Sequence, residues 1–332
     1  MAEHALVSTI IPVFNRPGMV RQAVESVLAQ TYRPIEILVV NDGSTDDTPK
    51  VLAEMQAAHP GEIRVLNQRN LGAAAARERG RQAATGAYIQ YLDSDDWLLP
   101  NKFVDQVAAL EAHPECAIAY GISMACHGDG TVFATASRRT GERLDALFPA
   151  LLVERWWHTH TPLFRRWISD AAGPWLEYRP EDWDLEARMG ALRPRLIHCG
   201  STVSMQRHYS SPDRVSEGSP AAYLRHEALF LPRLYACAVL AGVSPECPEM
   251  QRFSRWVFMR ARDLDGLGET KTAGQLLRLA RFTATENGLA LHFYAGLRRI
   301  MGPGFSVRIA ALLRGILGSG RPNESRRHAR QN

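Results

Sequence analysis

Short apolar runs alternate with segments of helical periodicity through the first third of the chain, and this alternation constrains the fold more than any other feature of the sequence. The apolar runs are rich in β-branched residues and read "VSTIIPVFN", "IEILVV", "IRVLNQ" and "AYIQYLD". The segments between them place apolar residues three or four positions apart, as a helix with one buried face does. Continuous apolar strands separated by helices predict a mostly parallel, Rossmann-like α/β sheet that is covered by helices.

The remainder of the chain continues with further strands and helices and then changes character. We expect a helix over "NKFVDQVAALEAH", strands over "CAIAYGISMAC" and "RLIHCGSTVSMQRHY", and helices over "LDALFPALLV" and "PEDWDLEARMGAL". From residue 221 onward the periodicity is helical and arginine is frequent. These changes predict a sheet-containing domain over 1–220, a helical extension over 221–318 and a disordered tail over 319–332.

Charge is distributed unevenly along the chain, although the net charge is only +4. Residues 221–332 hold 17 Lys and Arg against 8 Asp and Glu, whereas residues 1–220 hold 22 against 27. The extension is therefore basic and the sheet-containing domain acidic, which indicates different tasks. The basic part has no nucleic-acid reading motif, so we do not expect a nucleic-acid partner.

Cysteine usage and hydropathy predict a cytoplasmic protein. The five cysteines form no CxxC pattern, and their odd number argues against a disulfide framework. The amino terminus lacks a basic region followed by a long apolar core, so no signal peptide is expected. The longest stretch free of Asp, Glu, Lys and Arg covers only residues 116–128, which is too short to span a membrane.

Three carboxylates, Asp93, Asp95 and Asp96, follow the fourth apolar run in the stretch "QYLDSDDWLLP". Carboxylates at this spacing repel one another unless water or a cation screens them. One interpretation is a site for a divalent cation, because such cations prefer oxygen ligands. The other is a solvated turn before a helix that Ser94 or Asp96 caps.

Polar residues also follow the first two apolar runs, in "PVFNR" and "VNDGSTD". In open parallel sheets, ligands bind at the carboxyl ends of the strands. Because "LDSDD" occupies the same place after the fourth run, we expect the three motifs to converge on one edge of the sheet. Such convergence favours a binding site over three unrelated turns.

The order and spacing of these motifs resemble the inverting nucleotide-sugar glycosyltransferases of family 2, which have the GT-A fold. The resemblance covers about residues 7–215 and rests on "IIPVFNR", "SVLAQTY", "ILVVNDGSTDDT", "NLGAAAARERG", "GAYIQYLDSDDWLLP" and "EDWDLEARM". It implies a nucleotide-sugar half over about 1–115 and an acceptor half over about 116–220. It also implies hexosyl transfer from a nucleotide-diphosphate sugar to an acceptor hydroxyl, in polysaccharide biosynthesis for the cell envelope.

The resemblance implies a metal cofactor, Mn²⁺ or Mg²⁺, which acts as a Lewis acid on the departing diphosphate. Asp95 is then the expected direct ligand, and Asp93 faces the ribose or the water shell of the metal. Asp96 is either a third ligand or a helix cap. The segment "QRHYSSPDRVS" resembles a flexible Arg-x-His segment of relatives, although Arg207 and His208 are adjacent here. His208 is either a contact to the metal or diphosphate or a surface histidine.

The donor nucleotide is expected to bind at the ends of the first two strands. Asp42 stands where a carboxylate can accept the imide N–H of uracil or thymine, so the resemblance favours UDP or dTDP. Gly43 permits close backbone approach, although an Asx turn also explains this stretch. The backbone of Pro12 and Val13 would then hold the base. The remaining residues assigned to the donor are Asn15, Arg77, Asp93 and Ser94, and an ion pair with Glu78 or Asp93 is the alternative for Arg77.

A sugar hydroxyl attacks well only when a base removes its proton. In the resemblance, the Asp of the "ED" pair is that base, which assigns the role to Asp182 with support from Glu181. A single base opposite the leaving group implies in-line displacement and inversion at the anomeric carbon. An ordinary first-turn acid of a helix is the alternative for Asp182. Trp156 and Trp157 are expected near the acceptor, and at most one of these adjacent residues can stack on a sugar.

Two other functional classes are alternatives to a glycosyltransferase. A sugar nucleotidyltransferase shares the sheet but needs a Gly-rich, basic loop after the first strand, and "PVFNRPG" does not provide it. A non-catalytic binding or scaffold protein with the GT-A fold is disfavoured by the intact Asp42, Asp93, Asp95 and Asp182. The basic segment "LALHFYAGLRRIMGPGFSVRIAALLRGILG" either lies at the inner face of the cell membrane, where lipid-linked acceptors reside, or packs on the catalytic domain.

Overall fold

The computed structural model describes residues 5–209, 219–284 and 289–304. Its strands are β1 (Val7–Val13), β2 (Ile35–Asp42), β3 (Ile63–Gln68), β4 (Tyr88–Tyr91), β5 (Trp97–Leu98), β6 (Cys116–His127), β7 (Val132–Ala134), β8 (Leu163–Arg165) and β9 (Arg195–His208). Within the described residues, these nine strands form one sheet in the order β3-β2-β1-β4-β8-β6-β9-β5, and β7 pairs with β6.

Helices connect the strands and then continue alone to the end of the described chain. They are α1 (Pro17–Leu28), α2 (Thr48–Ala58), α3 (Ala73–Ala83), α4 (Lys102–Ala112), α5 (Arg166–Ala171), α6 (Glu181–Ala191), α7 (Pro220–Leu240), α8 (Pro248–Gly266), α9 (Thr270–Thr283) and α10 (Leu289–Met301). The expected α/β fold with a helical carboxyl-terminal extension is confirmed.

The first four strands are parallel, as the sequence predicts. β1 lies between β2 and β4, and β2 pairs with β3 on its other side. Val13, the last residue of β1, is in register with Asn41 of β2, so both strands end at the same edge. The core between β1, β2 and α1 contains Ile11, Val24 and Val39, which are completely buried. Burial on both faces explains why these strands read as continuous apolar runs.

The second half of the sheet is mixed. β8 runs antiparallel to both β4 and β6, whereas β6 and β9 are parallel. The expectation of a helix over "LDALFPALLV" is wrong, because only a short 3-10 turn, Ala150–Leu152, forms there. Pro149 explains the difference, since proline lacks a backbone N–H and disfavours helical conformation in the residue before it.

Two compact units make up the chain, one of Met1–Tyr209 with Cys237–Ala241 and one of Ser210–Ala236 with Gly242–Asn332. Inside the second unit, Asp265 of α8 accepts hydrogen bonds from the Tyr294 hydroxyl and from Arg298, which fixes α10 to α8. None of the helices in the described residues is long and apolar enough to cross a membrane. The tail expected over 319–332 lies outside the described residues.

Candidate active site

The acidic turn connects β4 to β5 at the edge where β1 and β2 also end. It holds Asp93, Asp95 and Asp96, and the Asp96 N–H donates to the Asp93 carbonyl at 3.1 Å. The next helix, α4, begins only at Lys102. Asp96 therefore does not cap that helix, and this alternative for Asp96 is wrong. Ser94, a predicted donor-binding residue, is buried within the turn.

Asp95 faces the start of α1 and the end of β9. Its Oδ2 lies 3.1 Å from Nη1 of Arg16 and accepts a hydrogen bond from the Tyr209 hydroxyl at 2.9 Å. Burial raises the pKa of Asp95, and the nearby charge of Asp96 raises it further, against the opposing effect of Arg16. The residue expected to bind the metal directly is thus held by protein partners.

Asp93, Asp96 and His160 form a separate group in which one ligand atom from each lies within 4.8 Å of the others. His160 is fully buried, and its Nδ1 lies 2.8 Å from Asp96 Oδ2 without the alignment of a hydrogen bond. Its Nε2 lies 3.2 Å from the Ser123 hydroxyl. A proton on Nε2 that is donated to Ser123 leaves the Nδ1 lone pair directed at the carboxylate. Two carboxylates and an oriented imidazole fit a divalent cation.

His160 is not assigned to a metal from the sequence alone. Its signal was the "HTH" of "WWHTHTPLF", which lies between β7 and β8 and far from the acidic turn in the sequence. The pairing of β4 with β8 brings the segment before β8 beside the acidic turn. The distance between His160 and the acidic turn cannot be inferred from one sequence.

Arg77 links the acidic turn to the start of α6. Its guanidinium lies 2.6 Å from Asp93 Oδ1 and 3.1 Å from Glu181 Oε1, over the ring of Trp175. Burial opposes ionisation of Asp93, but the charge and hydrogen bond of Arg77 outweigh it and lower the pKa of that carboxyl. Burial and the neighbouring Asp182 raise the pKa of Glu181.

Charge at this edge is unbalanced toward the negative. Its carboxylates are Asp93, Asp95, Asp96 and Glu181, and the guanidinium groups that pair with them are Arg16 and Arg77. The carboxylates, when ionised, exceed these two arginines by the charge of one divalent cation. Such an excess is costly without a compensating ion.

Asp42 organises the loop that precedes α3. Its carboxylate accepts hydrogen bonds from the side chain of Gln68 at 2.7 Å and from the backbone N–H groups of Leu71 and Gly72, both at 2.8 Å. Gly43 follows with a φ of +75°, and a Cβ there would lie 2.7 Å from the Asn70 nitrogen. Only glycine allows this approach of the two loops.

The other donor residues assigned from the sequence lie beside Asp42. Pro12 and Val13 end β1 next to Val40 and Asn41 of β2. Asn15 has a φ of +50°, and its side-chain Oδ1 accepts a hydrogen bond from the Thr45 N–H at 2.8 Å. The structure thus gathers these residues at one edge, and Asn15 joins the loops that follow β1 and β2.

Asp182 occupies the first turn of α6 and remains partly exposed. Its Oδ2 accepts hydrogen bonds from Arg155 and from the Thr159 hydroxyl, and its Oδ1 accepts one from the Trp183 N–H. The same Arg155 binds both oxygens of the buried Glu186, at 3.1 and 2.5 Å. Burial raises the pKa of Glu186, against the opposing effect of Arg155. Arg155 therefore orients the carboxylate of Asp182, a role that sequence reasoning missed.

Both tryptophans assigned to the acceptor are buried. Trp157 donates its indole N–H to Glu186 at 3.1 Å, and the guanidinium of Arg139 covers the ring of Trp156 at 4.0 Å. His208, at the end of β9, contacts Gln206 through Nε2 at 2.9 Å. Among the described residues, His208 is not part of the group of ligand atoms that Asp93, Asp96 and His160 form.

Solved glycosyltransferase structures have a fold similar to that of this chain. TarS residues 1–349 of S. aureus, in complex with UDP-GlcNAc, superposes with a TM-score of 0.59 at 16% identity, over 83% of this chain and 87% of that one. The mannosyltransferase PcManGT of Pyrobaculum calidifontis, in complex with GDP-Man and Mn²⁺, gives a TM-score of 0.54 at 17% identity, over 96% and 89%. The chain has the GT-A fold.

The amino-terminal half of the chain is also similar in sequence to known glycosyltransferases. The family described as glycosyl transferase family 2 matches residues 8–168. The uncharacterized glycosyltransferase YibD of Escherichia coli is 40% identical over 96 residues, which are 29% of this chain and 28% of YibD. The aligned part thus spans less than a third of that curated relative. Residues 8–168 therefore form a glycosyl transferase family 2 domain.

Proposed function

We propose that this protein is a metal-dependent, inverting glycosyltransferase that moves a sugar from a nucleotide-diphosphate sugar to an acceptor hydroxyl. One observation carries the proposal: Arg77 connects the acidic turn, where a metal and diphosphate would bind, to Glu181 and hence to Asp182 at the start of α6. A cation site and a candidate base therefore belong to one connected arrangement. Family membership supports the same reaction class.

We assign the cation to Asp93, Asp96 and His160. A bound divalent cation would act as a Lewis acid on the departing diphosphate oxygen. The imidazole nitrogen favours Mn²⁺ over Mg²⁺, because Mg²⁺ is bound mainly by oxygen ligands. The Mn²⁺ in the PcManGT complex is consistent with this choice. Asp95, expected first as the direct ligand, contacts Arg16 and Tyr209 through Oδ2 and is not assigned to the metal here.

The donor base is assigned to the edge formed by Pro12, Val13, Asp42 and Gly43. Asp42 already accepts three hydrogen bonds, so the imide N–H of uracil or thymine would meet a carboxylate that is held in place. This arrangement supports UDP or dTDP as the nucleotide. The TarS complex with UDP-GlcNAc is consistent with it, although the PcManGT complex contains GDP-Man.

Asp182 is the proposed general base. Arg155 and Thr159 fix its Oδ2 and the Trp183 N–H binds its Oδ1, so the carboxylate is held in one orientation while the side chain stays partly exposed. As the acceptor oxygen bonds to the anomeric carbon, its proton passes to Asp182 and the bond from that carbon to the diphosphate oxygen breaks. Attack opposite the leaving group inverts the anomeric centre.

The acceptor is proposed to be a glycan or a lipid-linked sugar of a cell-envelope polysaccharide, met at the inner face of the membrane. α10 supports a peripheral contact, because Leu289, Phe293 and Ile300 are 78%, 59% and 84% exposed on one face. The opposite face of α10 is buried through Leu291 and Tyr294. α9 and α10 contain five Lys and Arg and no Asp or Glu, which favours an anionic lipid surface.

The test of the proposed reaction measures nucleoside diphosphate release from a panel of UDP-, dTDP- and GDP-sugars with Mn²⁺. We expect Asp182→Asn to reduce turnover at least about a hundredfold, since a positioned base contributes about 10²–10⁴ in rate. Nucleotide affinity should stay unchanged. Asp170→Asn, which changes an exposed aspartate on α5, is the matched control. Full turnover by Asp182→Asn would show that another group is the base.

A further inference from the structure

Arg138 differs from the other arginines around the site. It lies between β7 and the 3-10 turn and has a φ of +53°, which is uncommon for a residue other than glycine. Hydrogen bonds from Ser137 N–H to the Ser123 carbonyl and from Arg139 N–H to the Trp156 carbonyl hold the backbone on either side. Conformations of this kind persist where the surroundings impose them, often at functional sites.

The guanidinium of Arg138 has no acidic partner among the described residues. Its Nε donates to Nδ1 of His158 at 3.3 Å, and it forms no ion pair with a carboxylate in residues 5–209, 219–284 or 289–304. By contrast, Arg16, Arg77 and Arg155 each contact a carboxylate. The two terminal nitrogens of Arg138 are therefore hydrogen-bond donors that no carboxylate in the described part of the chain engages.

The histidine beside Arg138 is held as a neutral acceptor. His158 is buried, and both burial and the charge of Arg138 lower its pKa well below the usual range. Its Nε2 lies 2.9 Å from the Ser137 hydroxyl, while Gln206 approaches Nδ1 at 3.2 Å. This network fixes the position of the guanidinium without neutralising its charge.

The guanidinium of Arg138 keeps its positive charge although few negative charges lie near it. Burial, followed by the charge of Arg155, lowers the pKa of Arg138 to about 10, while Asp182 and Glu186 oppose the change. The side chain thus stays protonated near neutral pH, and its charge is partly removed from solvent. An anionic ligand would compensate the charge of Arg138 and accept two charge-assisted hydrogen bonds from its terminal nitrogens.

The position of Arg138 indicates which substrate would supply the anion. His158 precedes Thr159, whose hydroxyl hydrogen-bonds Asp182 at 3.3 Å. Arg138 is therefore close to the proposed base, whose charge acts on its guanidinium. The His158 ring also stacks on that of His160 in the candidate cation site, with centroids 5.7 Å apart. We propose that Arg138 binds an oxyanion of the acceptor, a phosphate or a carboxylate, so that the enzyme glycosylates an anionic acceptor. This inference rests on the proposed transferase function.

The first experiment titrates the 332-residue chain by calorimetry with inorganic phosphate and, separately, with acetate, without added metal. We expect the wild type to bind phosphate or acetate. Binding of phosphate would indicate a phosphate group on the acceptor, and binding of acetate a carboxylate. Arg138→Asn, which tolerates a positive φ, should weaken that binding at least about tenfold. Arg138→Lys should retain part of it, because it keeps the charge but not the two terminal donor nitrogens. Arg143→Gln, an exposed arginine of the same segment, is the matched control.

UDP binding with Mn²⁺ is measured on the same variants, and thermal unfolding establishes that each variant is folded. We expect Arg138→Asn to leave UDP affinity unchanged. A parallel loss of UDP affinity would place Arg138 at the donor and overturn the proposal. Equal anion binding by wild type and Arg138→Asn, or none by the wild type, would also overturn it. Absence of UDP binding in every protein, with the anion result intact, would instead refute the transferase function.

Discussion

Asp96 and His160 meet at the candidate cation site, with 2.8 Å between the carboxylate Oδ2 and the imidazole Nδ1. Asp96 belongs to the turn after β4, and His160 precedes β8, so the contact depends on the antiparallel pairing of these strands. The backbone N–H of Arg207 donates to the other Asp96 oxygen at 2.8 Å. A carboxylate fixed on one oxygen and facing an imidazole on the other is poised to share a metal.

We expect His160→Gln to weaken Mn²⁺ binding at least about tenfold, because loss of a ligand or its orienting contact costs affinity of this order. Titration of free Mn²⁺ by electron paramagnetic resonance measures the affinity directly and does not depend on turnover. His208→Gln is the control and should bind Mn²⁺ as the wild type does. A loss with His208→Gln and none with His160→Gln would assign the metal to the end of β9 instead.

Lys102 gives a pH-dependent prediction for stability. It is fully buried on α4, its Nζ donates to the Thr161 carbonyl at 2.7 Å, and burial lowers its pKa from 10.5 to about 7. Between these values the unfolded chain holds the extra proton, so this lysine makes the free energy of unfolding rise with pH from about 7 to about 10.5. Below about pH 7, Lys102 is protonated in both the folded and the unfolded protein, so its burial as a cation destabilises the folded state in full.

Lys102→Met should therefore stabilise the protein most at or below pH 7, with an upper limit of about 5 kcal/mol at 1.36 kcal/mol per pKa unit. The Thr161 carbonyl keeps a hydrogen bond from Gln106 at 3.0 Å, so no acceptor is left unpaired. Thermal unfolding of both proteins from pH 6 to pH 10 should show the difference in Tm shrinking as pH rises. A constant difference would mean that Lys102 does not titrate in this range.

The exposed face of α10 predicts binding to anionic membranes. Replacing Leu289, Phe293 and Ile300 together by serine should weaken binding to vesicles that contain phosphatidylglycerol at least about tenfold, because each apolar side chain contributes about 1.5–3 kcal/mol when buried. Co-sedimentation measures this, with phosphatidylcholine vesicles as the uncharged control. If only the wild type self-associates and neither protein binds vesicles, the face is an interface between two copies. Equal vesicle binding by both proteins would also contradict the prediction.

The sequence predicted the parallel half of the sheet well, because β1 to β4 are buried on both faces and their order follows from local periodicity. The three motifs at the edge could be located for the same reason. The role of Arg155 between Asp182 and Glu186, and that of His160, could not. These contacts join residues distant in the sequence through β8 and through the irregular segment around Pro149, where no periodicity indicates a conformation.

Calorimetric titration of the purified protein with UDP, with and without Mn²⁺, and then with dTDP and GDP, tests whether a metal-dependent donor site exists. We expect binding that requires Mn²⁺ and is tighter for UDP or dTDP than for GDP, because Asp42 would accept a pyrimidine imide N–H. Absence of binding to all three nucleotides, in folded protein with Mn²⁺ present, would contradict the transferase function.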